Sequence, residues 1–159
     1  MNPSDLPAHV RARMGIGIPT KPKRRKVGDV TALKQWQAEM CRGPGIFVPV
    51  KVISEANARE HWRVAWQRGK DQKERVSFAM AGRVGDCVAT LSAGGTIRAT
   101  LTRYGKRMLD DDNLARGFKA IRDAIAAKLG KDDGLPCYQW VYRQEVAKHY
   151  GVRIELEAL

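Results

Sequence analysis

Leu109-Asp110-Asp111-Asp112-Asn113-Leu114 opens the stretch on which the fold turns, and it continues as Ala115-Arg116-Gly117-Phe118-Lys119-Ala120-Ile121-Arg122-Asp123-Ala124-Ile125-Ala126-Ala127-Lys128-Leu129-Gly130. At about 100° per residue, Leu114, Phe118, Ile121, Ile125 and Lys128 fall within one broad sector, and the first four make a core-facing stripe. The pattern predicts a helix from about Asp112 to Leu129, stopped by Gly130 as the residue after the cap. Asp112, Lys119 and Asp123 are spaced seven and then four, so on one helix they lie within about 40° of one another on the opposite side. One face packs, and the other lines up acid, base, acid.

Three consecutive carboxylates repel one another. A helix N-terminus offsets about 0.3–1 kcal/mol per charge, so capping by Asp112 accounts for one or two of them. It leaves Asp132-Asp133 unexplained, just past the other end, where the dipole disfavours negative charge. The chain has 29 Lys and Arg against 17 Asp and Glu, a net charge of +12. In so basic a chain, five carboxylates bracketing one helix point to a hard cation. Oxygen ligands without Cys or His favour Mg²⁺ or Mn²⁺ over Zn²⁺, and the spacing does not fit an EF-hand loop. A basic surface that holds phosphates, an acidic metal site and a nearby Lys are the parts of phosphodiester hydrolysis.

Working outward, residues 45–53 read as a strand in which Pro49 marks an edge position or a bend. Residues 54–80 read as a helix capped by Ser54 or Asn57, with Trp62, Ala65, Trp66, Val76 and Met80 in its apolar stripe. Residues 86–93 and 96–104 read as two strands joined by a Gly94-Gly95 hairpin. Residues 138–147 and 152–158 read as closing strands, the last alternating Val152, Ile154, Leu156 and Ala158 with Arg153, Glu155 and Glu157. The expected fold is α/β (α+β), a small mixed β-sheet with two main helices, confined to residues 45–159. Residues 1–44 hold five of the seven prolines and nine Lys or Arg against three Asp or Glu. They are expected to form a largely flexible basic arm, with a short helix over 31–40 capped by Thr31. Lys23, Arg24, Arg25 and Lys26 in that arm, together with Lys106, Arg107 and Arg116, are the candidate phosphate contacts. Lys70, Lys73, Arg75 and Arg103 are read as solvated charges that could track phosphates.

Several classes are excluded on composition. No apolar run approaches the roughly 20 residues of a membrane span, and the N-terminal residues lack the order of a secretory signal. A cytoplasmic protein, bacterial or phage-encoded, is expected, with no membrane partner and no small-molecule cofactor. Cys41, Cys87 and Cys137 lack zinc or redox spacing and are expected as buried or half-buried free thiols. Among Trp62, Trp66 and Trp140, packing in the core is expected for at least two, with stacking on unpaired bases the alternative. His61 is read as a surface or packing residue and His149 as a turn residue.

Asp110-Asp111-Asp112-Asn113-Leu114, then Lys119-Ala120-Ile121-Arg122-Asp123, then Asp132-Asp133 before a strand, resembles the RusA family of Holliday junction resolvases and its phage-type relatives. Asn57-Ala58-Arg59-Glu60-His61-Trp62 resembles that family's Asn-x-Arg stretch. The resemblance covers roughly residues 46–158. It implies a homodimer of mixed α/β fold that nicks two symmetric strands of a four-way DNA junction. It also implies that Asp110, Asp112 and Asp133 hold magnesium while Lys119 assists at the phosphate. The family's Lys follows its acidic motif by about one helical turn, where this chain has Arg116, so Lys119 and Arg116 both remain candidates. Asp132 likewise remains open beside Asp133. A DNA-binding protein of the same fold without the chemistry is the rival reading, and an RNA-binding accessory protein a third.

Overall fold

The computed structural model describes residues 27–54 and 60–159. The expected contacts at Lys23, Arg24, Arg25 and Lys26, and the 57–59 part of the Asn-x-Arg stretch, lie outside the described residues. The chain divides into two compact units, Met1–Thr31 and Ala32–Leu159. Among the described residues, all the strands belong to the second. In order, the elements are α1 (Val27–Arg42), β1 (Ile46–Val48), α2 (Trp62–Ala79), α3 (Gly85–Ser92) and β2 (Ile97–Gly105), then α4 (Asp111–Gly117), α5 (Lys119–Leu129), β3 (Tyr138–Val146) and β4 (Gly151–Ala158). This is a mixed α+β architecture, with a four-stranded mixed sheet. No helix among the described residues is long and apolar enough to cross a membrane.

The sheet order is β1-β4-β2-β3. β2 and β3 are parallel, and β4 runs antiparallel to both β1 and β2. Parallel neighbours need a crossover, here supplied by α4 and α5. Register puts Ile97, Leu101, Arg103, Tyr138, Tyr142, Gln144, Val152 and Ile154 on one face of the sheet. Against that face pack Val76 of α2 and its C-cap Met80, Cys87 and Leu91 of α3, Leu114 of α4, Phe118 after it, and Ile121 and Ile125 of α5. Each such side chain contributes about 1.5–3 kcal/mol by leaving water. The opposite face carries Phe47 and Tyr104, which meet Trp36 of α1 edge-on at 5.2 and 6.0 Å. A Cβ on Gly151 would collide with the Phe47 ring, so glycine lets this aromatic cluster close.

The apolar stripe of residues 114–125 is buried as expected, but one helix does not carry it. The chain breaks at Phe118, between α4 and α5. Gly117 lies so close to the 52–53 backbone that a Cβ would stand 2.8 Å from Val52 Cγ1 and 2.9 Å from the Ile53 carbonyl oxygen. The helix re-aims to make that contact. Lys119 and Asp123 still share a face of α5, whereas Asp112 belongs to a different helix.

Residues 86–92 are helical, not a strand, and Ala93 caps the helix. Cys87 and Leu91, four apart, are the buried pair, a period that fits α3. Gly94 then takes φ 83° and accepts the left-handed turn that ends α3. Gly95 N–H donates to the Thr90 carbonyl and Gly94 N–H to that of Leu91, a Schellman ending in place of the expected hairpin.

Other boundaries shift for local reasons. β1 stops at Val48, since Pro49 cannot donate to a ladder, and it is an edge strand as Pro49 suggested. α2 begins at Trp62, with His61 as its cap, Nδ1 accepting from Arg63 N–H, and not Ser54; Asn57 lies outside the described residues. α1 already runs at Thr31, which is therefore not its cap. Trp62 and Trp66 are 66% and 60% exposed and outside the core; only Trp140 packs against it. Cys41 is exposed, against expectation, while Cys87 is buried and Cys137 half-buried.

Candidate functional site

β2 and β3 end side by side, with Arg103 opposite Gln144 in register. In open sheets with parallel strands, ligands favour the crevice beyond the carboxyl ends of those strands. The loop 106–110 leaves β2 at that end and is held at two points. Gln144 Nε2 donates to the Leu109 carbonyl at 2.7 Å, and its Oε1 accepts from Leu109 N–H at 2.8 Å. Arg103 donates to the Val52 carbonyl at 3.1 Å and to the Arg107 carbonyl at 2.8 Å. Arg103 is buried, not a solvated charge, and burial lowers its pKa.

This anchorage delivers the acidic turn. Asp110 occupies the N-cap position of α4, where its carboxylate accepts from Asn113 Nδ2 at 3.2 Å and makes no cap bond to the backbone. Asp111 and Asp112 follow in the first turn, and all three are exposed. Among the described residues, none of the three has an ion-pair partner. Arg116 is exposed in the last turn of α4, and Lys106 and Arg107 are exposed in the loop.

The second acidic group is in the opposite state. Asp133 returns along α5 to meet Arg122 Nη2 at 2.7 Å and Lys119 Nζ at 3.7 Å. Its backbone carbonyl accepts from Trp140 Nε1 at 3.0 Å, while the Arg122 guanidinium lies 5.2 Å from the Trp140 ring centre. Asp132 is spent differently: its Oδ1 accepts from Gly134 N–H at 2.9 Å within the turn. Of the two, it is Asp133 that faces α5. Asp123 lies between Lys73 of α2 at 2.8 Å and Lys119 at 2.9 Å. Burial pushes the Asp123 carboxyl up, but hydrogen bonds from Lys73 and Lys119 outweigh it and hold the pKa below its ordinary value. The same bond to Asp123 raises Lys119, which stays a cation at neutral pH.

The structure thus brings Lys119 and Asp133 together, with Arg122. Among the described residues, no group of three or more His, Cys, Asp or Glu side chains converges as metal ligands. Asp110 and Asp112 offer oxygen donors with no competing cation, which fits Mg²⁺ chemistry. Asp133 fits less well, since two cations already answer its charge.

Sequence reasoning missed Gln144, Arg122 and the buried role of Arg103. The signal for Arg103 was its parity: in an alternating strand it falls on the face of Ile97, Ala99 and Leu101. Gln144 shares parity with Tyr138, Trp140 and Tyr142 in the same way.

An uncharacterized protein of Xylella fastidiosa (strain Temecula1) is 37% identical to this chain over 89 residues, 54% of this chain and 56% of that protein. The chain therefore spans little more than half of that relative. No protein-family model matches the chain. No solved structure matches it either.

Proposed function

We propose that this chain is a Mg²⁺-dependent, structure-selective endodeoxyribonuclease of RusA type, acting as a homodimer that resolves four-way DNA junctions by paired symmetric nicks. The observation that carries this reading is the acidic turn 110–112. It is exposed, free of ion-pair partners among the described residues, and tethered by Gln144 at the carboxyl ends of two parallel strands. A chain of +12 net charge keeps that turn acidic among cations, an arrangement that serves a metal and a phosphate together. A cytoplasmic setting, bacterial or phage-encoded, belongs to the same proposal.

In this reading Asp110 and Asp112 would hold the cation, and Asp133 would complete the set by giving up its pairing with Arg122 and Lys119. Bound there, Mg²⁺ (or Mn²⁺) supplies Lewis-acid stabilisation of the phosphate and a more acidic water. The remaining work falls to the protein's own groups. Gln144 and Arg103 fix the loop from which the acids project. Lys119, kept protonated by Asp123, offsets charge that develops on the phosphoryl oxygens, as an electrostatic group and not a proton donor. Arg116, exposed on α4, is the alternative for that role. Lys106 and Arg107 contact flanking phosphates.

A second reading, a DNA-binding protein without catalysis, is favoured by one observation: Asp133 is paired with Arg122 and Lys119 and does not converge with Asp110 and Asp112. One experiment separates the two. A labelled four-way junction and a linear duplex of the same arms are incubated with Mg²⁺, Mn²⁺ or EDTA. Paired, metal-dependent nicks near the crossover are expected on the junction only. Tight binding with no nicks under either metal would favour the second reading.

A further inference from the structure

Beside the acidic turn lies an open cleft of about 380 Å³, lined by Lys51, Arg103, Lys106, Arg107, Leu109 and Tyr150 among others. Four of these side chains are cations, and among the described residues none that line the cleft carries a carboxylate. Elsewhere among the described residues several cations are answered locally, Arg98 by Glu157, Arg75 by Asp71, Lys73 by Asp123 and Arg122 by Asp133, while others such as Arg83, Lys128 and Arg143 stand singly in no ion pair. In the cleft the cations stand together and, among the described residues, are not answered. The Lys51 ammonium rests 5.0 Å from the centre of the Tyr150 ring, and Lys106 and Arg107 stand in no ion pair.

Arg103 is the telling member. It is only 4% exposed, and its hydrogen bonds go to two neutral carbonyls, of Val52 and Arg107. A guanidinium stays charged in proteins, and a buried charge without a counter-ion is unfavourable. An anion entering the cleft would relieve that deficit. We propose that the cleft binds a backbone phosphate of DNA, held by Arg103, Lys51, Lys106 and Arg107. A phosphodiester chain suits it better than an isolated anion. The cleft is open, and three exposed cations, Lys51, Lys106 and Arg107, line it together with the buried Arg103, charge enough for successive phosphates. Leu109 walls the cleft and Asp110 follows it in the chain, so the bound phosphate neighbours the one at the acidic turn. That last placement rests on the nuclease reading; phosphate binding itself does not.

The test is a fluorescence-anisotropy titration of a labelled four-way junction in EDTA, where no metal-dependent cutting can occur. Lys51→Ala, Lys106→Ala and Arg107→Ala are each expected to weaken binding by roughly threefold to tenfold. Each should also reduce the slope of log K against log salt by about 0.9. Lys128→Ala, which removes the same charge outside the cleft, should leave the slope unchanged. Arg103→Lys, checked for folding by circular dichroism, should weaken binding at least as much as Lys51→Ala, because a lysine cannot keep both carbonyl bonds and a phosphate. An unchanged affinity and slope in the Lys51, Lys106 and Arg107 triple variant would overturn the proposal. So would displacement of the junction by low-millimolar inorganic phosphate at constant ionic strength, which would make the cleft a site for a small phosphorylated ligand. Reduced slopes in the variants, with no nicks by the wild-type protein under Mg²⁺ or Mn²⁺, would keep the cleft and sink only the nuclease reading.

Discussion

The acidic turn 110–112 and the acids Asp123 and Asp133 use one residue type in opposite electrostatic states. The turn holds three exposed carboxylates with Asn113 as the hydrogen-bond donor to one of them and no cation paired to any, among the described residues. Asp123 and Asp133 are partly buried and engaged by Lys73, Lys119 and Arg122, which tie α2, α5 and the turn after α5 together. Stability explains the second group, since removing a partner there strands a half-buried charge. It does not explain the first, where mutual repulsion raises the energy of the fold. In the proposed reading, this repulsive cluster on a tethered loop is there to hold a cation.

The comparison is broken most directly at Asp112. Asp112→Asn is expected to reduce junction nicking by roughly 10²-fold or more, as loss of a group acting at the transition state does. It should preserve or tighten junction binding, because repulsion with phosphate falls. Nicking gels and anisotropy on one preparation read both. Undiminished nicking would remove Asp112 from the site.

The paired group should behave in reverse. Arg122→Ala leaves Asp133, only 16% exposed, with Lys119 at 3.7 Å as its remaining cation. A loss of about 1–3 kcal/mol in urea unfolding is expected. Asp112→Ala should stay within about 0.5 kcal/mol of wild type or gain stability. Equal losses at the two positions would erase the distinction drawn between the groups.

Gln144 links the two kinds of behaviour. Gln144→Ala strands the Leu109 amide and carbonyl and is expected to cost about 1–2 kcal/mol. Nicking should fall about tenfold beyond any unfolding, because the acids are no longer held in place. Gln144→Glu keeps an acceptor for Leu109 N–H but loses the donor, so it should fall between. Nicking that tracks only the folded fraction would make Gln144 structural and nothing more.

How far these features were legible in the sequence depended on what caused each. β2, β3 and β4, and the buried stripe Leu114, Phe118, Ile121 and Ile125, follow from periodicity, a local property. The break at Phe118 does not, because the cause is Gly117 meeting Val52 and Ile53 some 65 residues earlier in the chain. α3 was misread because a short stretch holding Val88 and Thr90 alternates almost as well as it repeats by fours. The acids could be nominated from their clustering. Their division into free and paired sets could not, since Asp132 and Asp133 are adjacent in sequence and differ only in which way the turn sends them.

The smallest expected effect tests the paired group by pH. The folded Asp123 pKa lies below its ordinary value of 3.8 because bonds from Lys73 and Lys119 outweigh burial. The unfolded chain therefore takes up the proton first as pH falls. The stabilisation is complete above the unfolded value and lost as pH drops through the lowered folded one. Both lysines are largely exposed, so up to about 1 kcal/mol is at stake. Lys119 has the opposite sign: its pKa is raised above 10.5, so its share is present below that value and lost above it. Urea midpoints of wild type and Asp123→Asn should differ by a constant amount between about pH 5 and pH 9 and converge on the acid side. Curves that stay parallel down through the acid range would mean that Asp123 stabilises by packing and not by charge. The neutral-pH contrast with the unpaired turn would then rest on Arg122 and Asp133 alone.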